Sequence, residues 1–126
     1  MPAMLEHANI TVTNAEATAA WMQSLFGWHI RWDGEAKDGG RSIHVGTDTQ
    51  YIAIYQPARP VKDGDSSYTT NGGLNHLAVV VEDIDTMEKD VIAAGFTPES
   101  HADYEPGRRF YFHDHDDIEY EIVDYS

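Results

Sequence analysis

The sequence predicts an α+β fold built from two copies of one β-α-β-β-β module, and three observations support this prediction. An eight-residue phrase occurs twice, as LEHANITV at residues 5–12 and as LNHLAVVV at residues 74–81, with a histidine at its third position each time. Each phrase leads through Asn or Asp into a helical pattern that stops at a glycine followed by an aromatic residue. Three strand-like segments follow each helix, and an internal repeat of this kind determines the architecture.

The repeated phrase is predicted to form the first strand of each module. Alternation along a strand sorts its side chains into two faces. In the first copy, the face expected to pack on the helix carries Ala8, Ile10 and Val12. The opposite face carries His7, Asn9 and Thr11. This second face is unusually polar for a strand in a small protein, so we expect it to serve a purpose other than packing.

Both predicted helices have start and stop residues in equivalent places. Asn14 and Asp83 are expected N-caps, because their side chains can accept hydrogen bonds from free N–H groups of the first turn. Gly27 and Gly95 suit the left-handed position just after a helix. The spacing of apolar residues then predicts the buried face of each helix. These residues are Ala17, Trp21 and Leu25 in the first helix, and Ile84, Met87, Val91 and Ala94 in the second.

The remaining strands are predicted at residues 28–33, 41–46 and 51–56 in the first module and at residues 96–100, 108–113 and 118–124 in the second. Residues 57–73 contain Pro, Gly, Ser and Asp without periodicity, which indicates a linker between the modules. We therefore predict one domain over residues 1–126, with module one at about 4–56 and module two at about 74–125.

Composition excludes several classes of function. The chain has 126 residues and a formal net charge of −14, which disfavours nucleic acid and anionic membrane surfaces as partners. It has no cysteine, so disulfides, thiolate nucleophiles and cysteine–zinc sites are absent. No apolar run approaches the length of a membrane span, and the N-terminal residues lack the pattern of a signal peptide. We expect a cytoplasmic protein.

The last predicted strand places carboxylates where apolar side chains are usual. Glu119 and Glu121 share one face of this strand, and each lies next to large apolar neighbours in the sequence. A carboxylate in such a position is explained either by contact with solvent or by a metal ion.

Taken together, these residues resemble the vicinal oxygen chelate superfamily, which includes glyoxalases, extradiol dioxygenases, methylmalonyl-CoA epimerase and fosfomycin or bleomycin resistance proteins. The resemblance rests on the paired modules, on LFGW after the first helix, and on FYFHDHDDIEYEIV near the end of the chain. The last segment is similar to the family's signature, with Asp114 and Glu121 in register, while His115 and Asp117 replace its usual Pro and Gly. The resemblance implies two modules that form an open, curved, mixed β-barrel-like sheet with the helices outside.

The resemblance also implies a metal site with ligands from both modules. Three of the family's four ligand positions match His7, His76 and Glu121, whereas the remaining one matches Ala53, which cannot bind metal. Two imidazoles and one carboxylate with open positions form the arrangement found in non-haem iron oxygenases. The implied cofactor is one divalent ion of Fe, Mn, Ni, Co or Zn.

The function implied is that of a metal-dependent enzyme, dioxygenase- or glyoxalase/lyase-like, acting on a small-molecule substrate with vicinal oxygens. Glu121 and Tyr111 are the expected catalytic residues. The residues expected to line the substrate cavity are Asn9, Tyr51, Ala53, Tyr55 and Arg108. Arg108 and Arg109 are open to two interpretations, because they could anchor an anionic substrate or balance nearby acids.

A second function stays open at this point. Some members of the family bind and sequester a drug without a metal, as bleomycin resistance proteins do, and the alanine at the fourth ligand position is compatible with such a binding protein. The resemblance also implies a homodimer, in some members with modules exchanged between chains.

Overall fold

The N-terminal unit, Met1–Lys62, has its strands and helix in the predicted order in the computed structural model, which describes residues 1–126. Its elements are β1 (His7–Thr11), α1 (Ala15–Phe26), β2 (His29–Glu35), β3 (Arg41–Gly46) and β4 (Tyr51–Gln56), with one 3₁₀ turn at Lys37–Gly39. The four strands form one sheet in the order β1-β4-β3-β2. β1 runs parallel to β4, and the other neighbours are antiparallel.

The C-terminal unit, Asp63–Ser126, repeats this arrangement. Its elements are β5 (Leu77–Val80), α2 (Ile84–Ala93), β6 (Glu99–Tyr104), β7 (Gly107–His113) and β8 (Glu119–Asp124). Their order in the sheet is β5-β8-β7-β6, again with one parallel and two antiparallel pairings. The predicted α+β fold of two β-α-β-β-β modules is therefore confirmed.

Most strand limits agree with the prediction, and the exception has a local cause. β3 and β4 coincide with the predicted segments, whereas β6 begins at Glu99 instead of residue 96. Pro98 has no N–H group to contribute to a ladder. Phe96 is buried and stacks on Phe112 with ring centroids 5.3 Å apart. Phe96 therefore belongs to the core ahead of the strand and not to the strand itself.

The predicted helix caps are confirmed in both units. Asn14 Oδ1 accepts a 3.0 Å hydrogen bond from the N–H of Ala17, and Asp83 Oδ1 accepts one of 3.1 Å from the N–H of Thr86. Gly27 has a φ of +71° and Gly95 a φ of +95°, the left-handed region that favours glycine.

The buried faces of the helices differ from the prediction at single positions. In α1, Trp21 and Leu25 are buried as expected, but Ala17 is exposed. The other buried residues of α1 are Ala15, Thr18, Ala19 and Met22. In α2, Ile84 and Val91 are buried, whereas Ala94 is the exposed C-cap. In β1, Ile10 is buried as predicted for the face that meets the helix, while His7 and Asn9 lie on the opposite, exposed face.

The boundary between the two units, at Lys62 and Asp63, falls inside the segment 57–73 that the sequence marks as a linker. The interpretation of residues 1–126 as one domain stays a prediction. No helix in the structure combines the length and the apolar character that a membrane span needs.

Candidate functional site

The sheet of the N-terminal unit carries a row of aromatic rings on the face opposite α1. His7 on β1 stacks on Tyr51 of β4 with ring centroids 4.7 Å apart, and Tyr51 stacks on His44 of β3 at 4.6 Å. His44 in turn contacts Trp32 of β2 at 5.2 Å. The cross-strand register explains this row, because His7 is paired with Tyr51 and His44 with Trp32. The row therefore crosses all four strands of the sheet.

Two charged groups, Arg31 and Glu6, contact Tyr51 in this row of rings. The Arg31 guanidinium lies over the ring of Tyr51, with Cζ 4.5 Å from the ring centroid. The Glu6 carboxylate contacts His7 Nδ1 at 2.9 Å and accepts a 3.3 Å hydrogen bond from the Tyr51 hydroxyl. Burial lowers the pKa of His44, and the nearby His7 and Arg31 side chains lower it further. His44 is therefore a neutral imidazole near pH 7.

The other predicted cavity residues of the N-terminal unit divide into two groups. Ala53 and Asn9 are paired in register between β4 and β1, and Ala53 is 2% exposed, so its methyl group fills space beside the aromatic row. Tyr55, by contrast, donates its hydroxyl to the Lys37 carbonyl at 3.0 Å. The Tyr55 hydroxyl thus holds the connection between β2 and β3. The sequence did not single out His44 or Arg31 for this face of the sheet.

The sheet of the C-terminal unit assembles His76, Glu121 and Arg109. His76 Nε2 lies 3.0 Å from Glu121 Oε1, and Arg109 Nη1 donates to Glu121 Oε2 at 3.0 Å. The Glu121 side chain is 10% exposed, so this carboxylate is largely removed from water. Tyr111 is paired with Glu121 in the register of β7 and β8. The Tyr111 ring is perpendicular to the His76 ring, with ring centroids 5.6 Å apart. Two predicted ligands and the predicted catalytic tyrosine therefore lie together.

Each candidate histidine is held by the residue that precedes it. His7 Nδ1 contacts the Glu6 carboxylate at 2.9 Å, and His76 Nδ1 contacts Asn75 Oδ1 at 2.6 Å. An oxygen at Nδ1 is an acceptor, so Nδ1 carries the proton and Nε2 keeps the lone pair of the neutral ring. Such a partner on the far nitrogen orients a metal-binding histidine and makes it more basic. Both histidines thus present Nε2 as a metal ligand would.

The contact between His76 and Glu121 has a further consequence. With the proton on Nδ1, His76 Nε2 and Glu121 Oε1 are two acceptors 3.0 Å apart. Two lone pairs at this distance repel each other unless a positive charge, either a proton or a metal ion, lies with them. The donor set of one imidazole and one carboxylate suits the divalent ions of Fe, Mn, Ni, Co and Zn. Within each unit, no three His, Asp or Glu side chains are grouped to hold a metal ion.

The two neighbouring arginines lie on opposite faces of β7. Arg108 pairs through two nitrogens with the Asp85 carboxylate of α2, at 2.9 and 3.3 Å, on the face that also carries the buried Phe110. Arg109 lies on the face of Glu121. Arg108 therefore balances a nearby acid, one of its two expected roles, and Arg109 is the arginine next to the predicted ligand. Side chains two residues apart on a strand share a face. The pairing of Tyr111 with Glu121 therefore puts Arg109, and not Arg108, on the face of Glu121.

The aspartate that matches the family signature has a structural role. Asp114 Oδ1 accepts hydrogen bonds from the N–H groups of Asp116 and Ile118, at 2.9 and 3.0 Å, and Oδ2 accepts one from the Tyr120 hydroxyl at 2.8 Å. Burial raises the pKa of Asp114, while these hydrogen bonds lower it in part. Asp114 thus holds the turn that leads into β8, the strand that carries Glu121.

Comparison with known proteins places the chain in a family. The model of the glyoxalase/bleomycin resistance protein/dioxygenase superfamily matches residues 4–122. A search of curated proteins finds no significant match. Solved structures match over nearly the whole chain. A glyoxylase/bleomycin resistance protein/dioxygenase domain from Frankia sp. EAN1pec is 20% identical and covers 100% of both chains, with a TM-score of 0.82.

Two further structural matches are fosfomycin resistance proteins. FosX from Mesorhizobium loti is 20% identical, with a TM-score of 0.71, and covers 98% of this chain and 92% of its own. A mutant of FosX from Listeria monocytogenes, complexed with Mn(II) and 1S,2S-dihydroxypropylphosphonic acid, is 19% identical, with a TM-score of 0.74, and covers 98% and 93%. At this identity the structures show a shared fold. Because the family model spans almost the entire chain and both modules are present, the protein belongs to the glyoxalase/bleomycin resistance protein/dioxygenase superfamily, the vicinal oxygen chelate proteins.

Proposed function

We propose that the protein is a metal-dependent enzyme that acts on a small molecule with vicinal oxygens. The observation that carries this proposal is that both repeat histidines have Nδ1 against an oxygen of the preceding residue, while Nε2 of His76 lies 3.0 Å from the Glu121 carboxylate. The Mn(II) complex of a FosX relative adds support from the same family.

His7, His76 and Glu121 are the proposed protein ligands of one divalent ion of Fe, Mn, Ni, Co or Zn. A bound divalent ion would supply Lewis acidity toward the oxygens of the substrate. Arg109 holds one oxygen of Glu121, which directs the other oxygen toward His76. The proposal covers two arrangements, in which His7 and His76 come from one chain or from the two chains of a homodimer.

Tyr111 is the proposed hydrogen-bond donor to a substrate oxygen. Burial raises the pKa of Tyr111, and the nearby Glu121 carboxylate raises it further. The phenol therefore keeps its proton at neutral pH, so that Tyr111 can donate a hydrogen bond but does not serve as a phenolate base.

The proposal is tested by elemental analysis and by calorimetric titration with Mn²⁺. Wild type is expected to bind one equivalent, and the His7→Ala and His76→Ala variants are expected to lose it. His29→Ala is the matched control, because His29 is an exposed histidine that pairs only with Asp48 at 3.3 Å. Stoichiometric metal that persists in both ligand variants would overturn the proposal.

The reaction class is then separated by two assays on the metal-loaded protein. Oxygen uptake with catechols as substrates is expected of a dioxygenase, and conversion of glutathione hemithioacetals is expected of a glyoxalase or lyase. Glu121→Gln is expected to abolish whichever activity is found, because the amide removes the negative charge that binds metal. An active Glu121→Gln protein would exclude Glu121 from the site.

A metal-independent binding protein is the second candidate function, and the aromatic row favours it. His7, Tyr51 and His44 present stacked rings at 4.6–4.7 Å spacing on one face of the sheet, a surface suited to flat or cationic ligands. A thermal shift with bleomycin that is unchanged by EDTA would support this function over the first. The absence of any shift would exclude bleomycin as its ligand.

A further inference from the structure

We propose that the unpaired edge of the Arg109 guanidinium is a carboxylate-binding site, so that the ligand of this face is a small carboxylic acid. The inference deepens the proposed function, since it names the substrate class of the face that carries His76 and Glu121. It rests on three features of Arg109: its hydrogen bonds, its burial and its neighbours.

Only one nitrogen of Arg109 has a partner. Nη1 donates to Glu121 Oε2 at 3.0 Å, whereas Nε and Nη2 are buried and have no acceptor. The side chain of Arg109 is 15% exposed, so bulk water does not substitute for the missing partners. Buried N–H groups of a charged side chain are almost always hydrogen-bonded, and leaving them unpaired is costly. An acceptor that belongs at this edge is therefore missing from the protein itself.

The two unpaired nitrogens form one recognition edge. The N–H bonds of Nε and Nη2 point in the same direction, which matches the two oxygens of a carboxylate. Another arginine of this chain, Arg41, binds a carboxylate through the same edge. Arg41 donates from Nε to Asp33 Oδ1 at 3.0 Å and from Nη2 to Asp33 Oδ2 at 2.8 Å. The same edge of Arg109 has no carboxylate.

The chain does not fill this edge although acids are abundant. It contains 22 acidic and only 8 basic residues, so an arginine without a carboxylate on its two-nitrogen edge stands out. The nearest carboxylate, Glu121, is already bound by Nη1 and by His76. The ring of Tyr104 lies on the face of the Arg109 guanidinium, with its centroid 5.1 Å from Cζ. The N–H bonds lie in the guanidinium plane, so an acceptor approaches in that plane, as a carboxylate does.

The position of the edge determines the kind of ligand. A carboxylate bound to Nε and Nη2 lies on the same guanidinium that holds Glu121, so the rest of the ligand is adjacent to Glu121 and His76. A hydroxyl or carbonyl oxygen elsewhere in the ligand would then face these two residues. The substrate class is a small carboxylic acid that carries a second oxygen function.

The experiment follows the Arg109 Nε–H resonance of ¹⁵N-labelled protein by NMR. The protein is treated with EDTA and titrated with sodium malonate while NaCl keeps the ionic strength constant. The Arg109 resonance is assigned by its loss in the Arg109→Lys variant. We expect a saturable shift of this resonance below about 100 mM malonate. A resonance that does not shift, or that shifts equally with NaCl alone, would overturn the proposal.

Affinity in two variants provides the control. Arg109→Lys is expected to weaken malonate binding at least about tenfold, because an ammonium group does not reproduce the two-point contact. Arg41→Lys is the matched control, since the same edge of Arg41 is already filled by Asp33, and it is expected to leave malonate affinity unchanged. Equal losses in both variants would indicate a general charge effect and contradict the proposal.

Metal-free conditions separate this inference from the proposed function. Malonate binding without any Mn²⁺ binding would support the carboxylate site and overturn the metal-dependent enzyme. Mn²⁺ binding without a response of the Arg109 resonance to malonate would support the metal site and overturn the carboxylate site.

Discussion

The two candidate metal ligands differ in the group that holds Nδ1. Glu6 provides a carboxylate for His7, and the hydrogen bond from His7 lowers the pKa of Glu6, so this carboxylate stays ionised. Asn75 provides a neutral amide oxygen for His76. A carboxylate partner raises the basicity of an imidazole more than an amide does. We therefore expect His7 to be the stronger donor and His76 to depend more on its orientation.

Removing the amide partner tests this orientation. Asn75→Ala is expected to weaken Mn²⁺ binding by about 10- to 100-fold, the usual cost of losing the group that orients a metal-binding histidine. Calorimetric titration measures the affinity. Asn71→Ala, five residues before His76 in the same segment, is the control and should bind as wild type does. Equal affinities in wild type and Asn75→Ala would contradict an orienting role.

Asp117 occupies a position that the family signature usually gives to glycine. Its φ is +62°, a left-handed conformation that costs free energy for a residue with a Cβ. Asp117→Gly is expected to stabilise the protein by about 0.5–1 kcal/mol, which urea denaturation would measure. Asp116→Gly is the control, because Asp116 has no positive φ and should gain nothing. A loss of stability in Asp117→Gly would show that the Asp117 side chain makes a contribution larger than the strain.

At the scale of single elements, the helices begin where short polar side chains take over the first backbone N–H groups. Asn14 caps α1, and Gln56 Oε1 of β4 accepts the N–H of Ala15 at 2.8 Å. The start of α1 is therefore tied both to its own cap and to the strand beneath it. The same logic holds for α2, where Asp124 Oδ2 of β8 accepts from the N–H of Ile84 at 3.2 Å.

Loss of the α1 cap has a defined cost. Asn14→Ala is expected to lower the free energy of unfolding by about 1 kcal/mol, because the N–H of Ala17 loses its acceptor. Urea denaturation followed by circular dichroism measures the change. Asn14→Asp keeps an acceptor at this position and should remain close to wild type. If both variants lost the same amount, the cap would not be the cause.

The turn before β8 gives the protein a pH dependence of known sign. Because burial raises the pKa of Asp114, the folded state holds its proton more tightly than the unfolded state does. This contribution to stability is complete below the ordinary carboxyl pKa of 3.8 and is lost as pH rises through the raised value. Asp114→Asn removes it. The stability of Asp114→Asn relative to wild type should therefore rise as pH increases above 3.8. Urea titrations across this range measure it, and a constant difference would contradict the prediction.

At the scale of the whole molecule, the dominant feature is its net charge of −14. Repulsion among exposed carboxylates opposes the folded state, and salt screens it over distances that shrink from about 10 Å at 0.1 M to about 3 Å at 1 M. The melting temperature at pH 7 is therefore expected to rise with NaCl concentration. The control is the same series near pH 4.5, the isoelectric point of the sequence, where the rise should be much smaller. Equal slopes at both pH values would exclude charge repulsion as the cause.

The fold was predictable because its evidence is local or periodic. The repeated histidine phrase, Asn14 and Asp83 as caps, and Gly27 and Gly95 as helix ends all carry their meaning within a few residues of sequence. Ala17 and the start of β6 were mistaken, since burial on a helix face and the limits of a strand depend on what packs against them. Short-range propensity does not contain that information.

By itself, the sequence determined that two β-α-β-β-β modules exist, that each begins with a histidine phrase, and that Glu121 lies in the last strand. Only the tertiary structure decided which side chains meet. It placed Arg109 instead of Arg108 on Glu121, stacked Tyr51 between His7 and His44, and left one edge of Arg109 without a partner. The physical reason is that cross-strand neighbours follow from register. Pairing along whole strands sets register, so that residues far apart in the chain become adjacent.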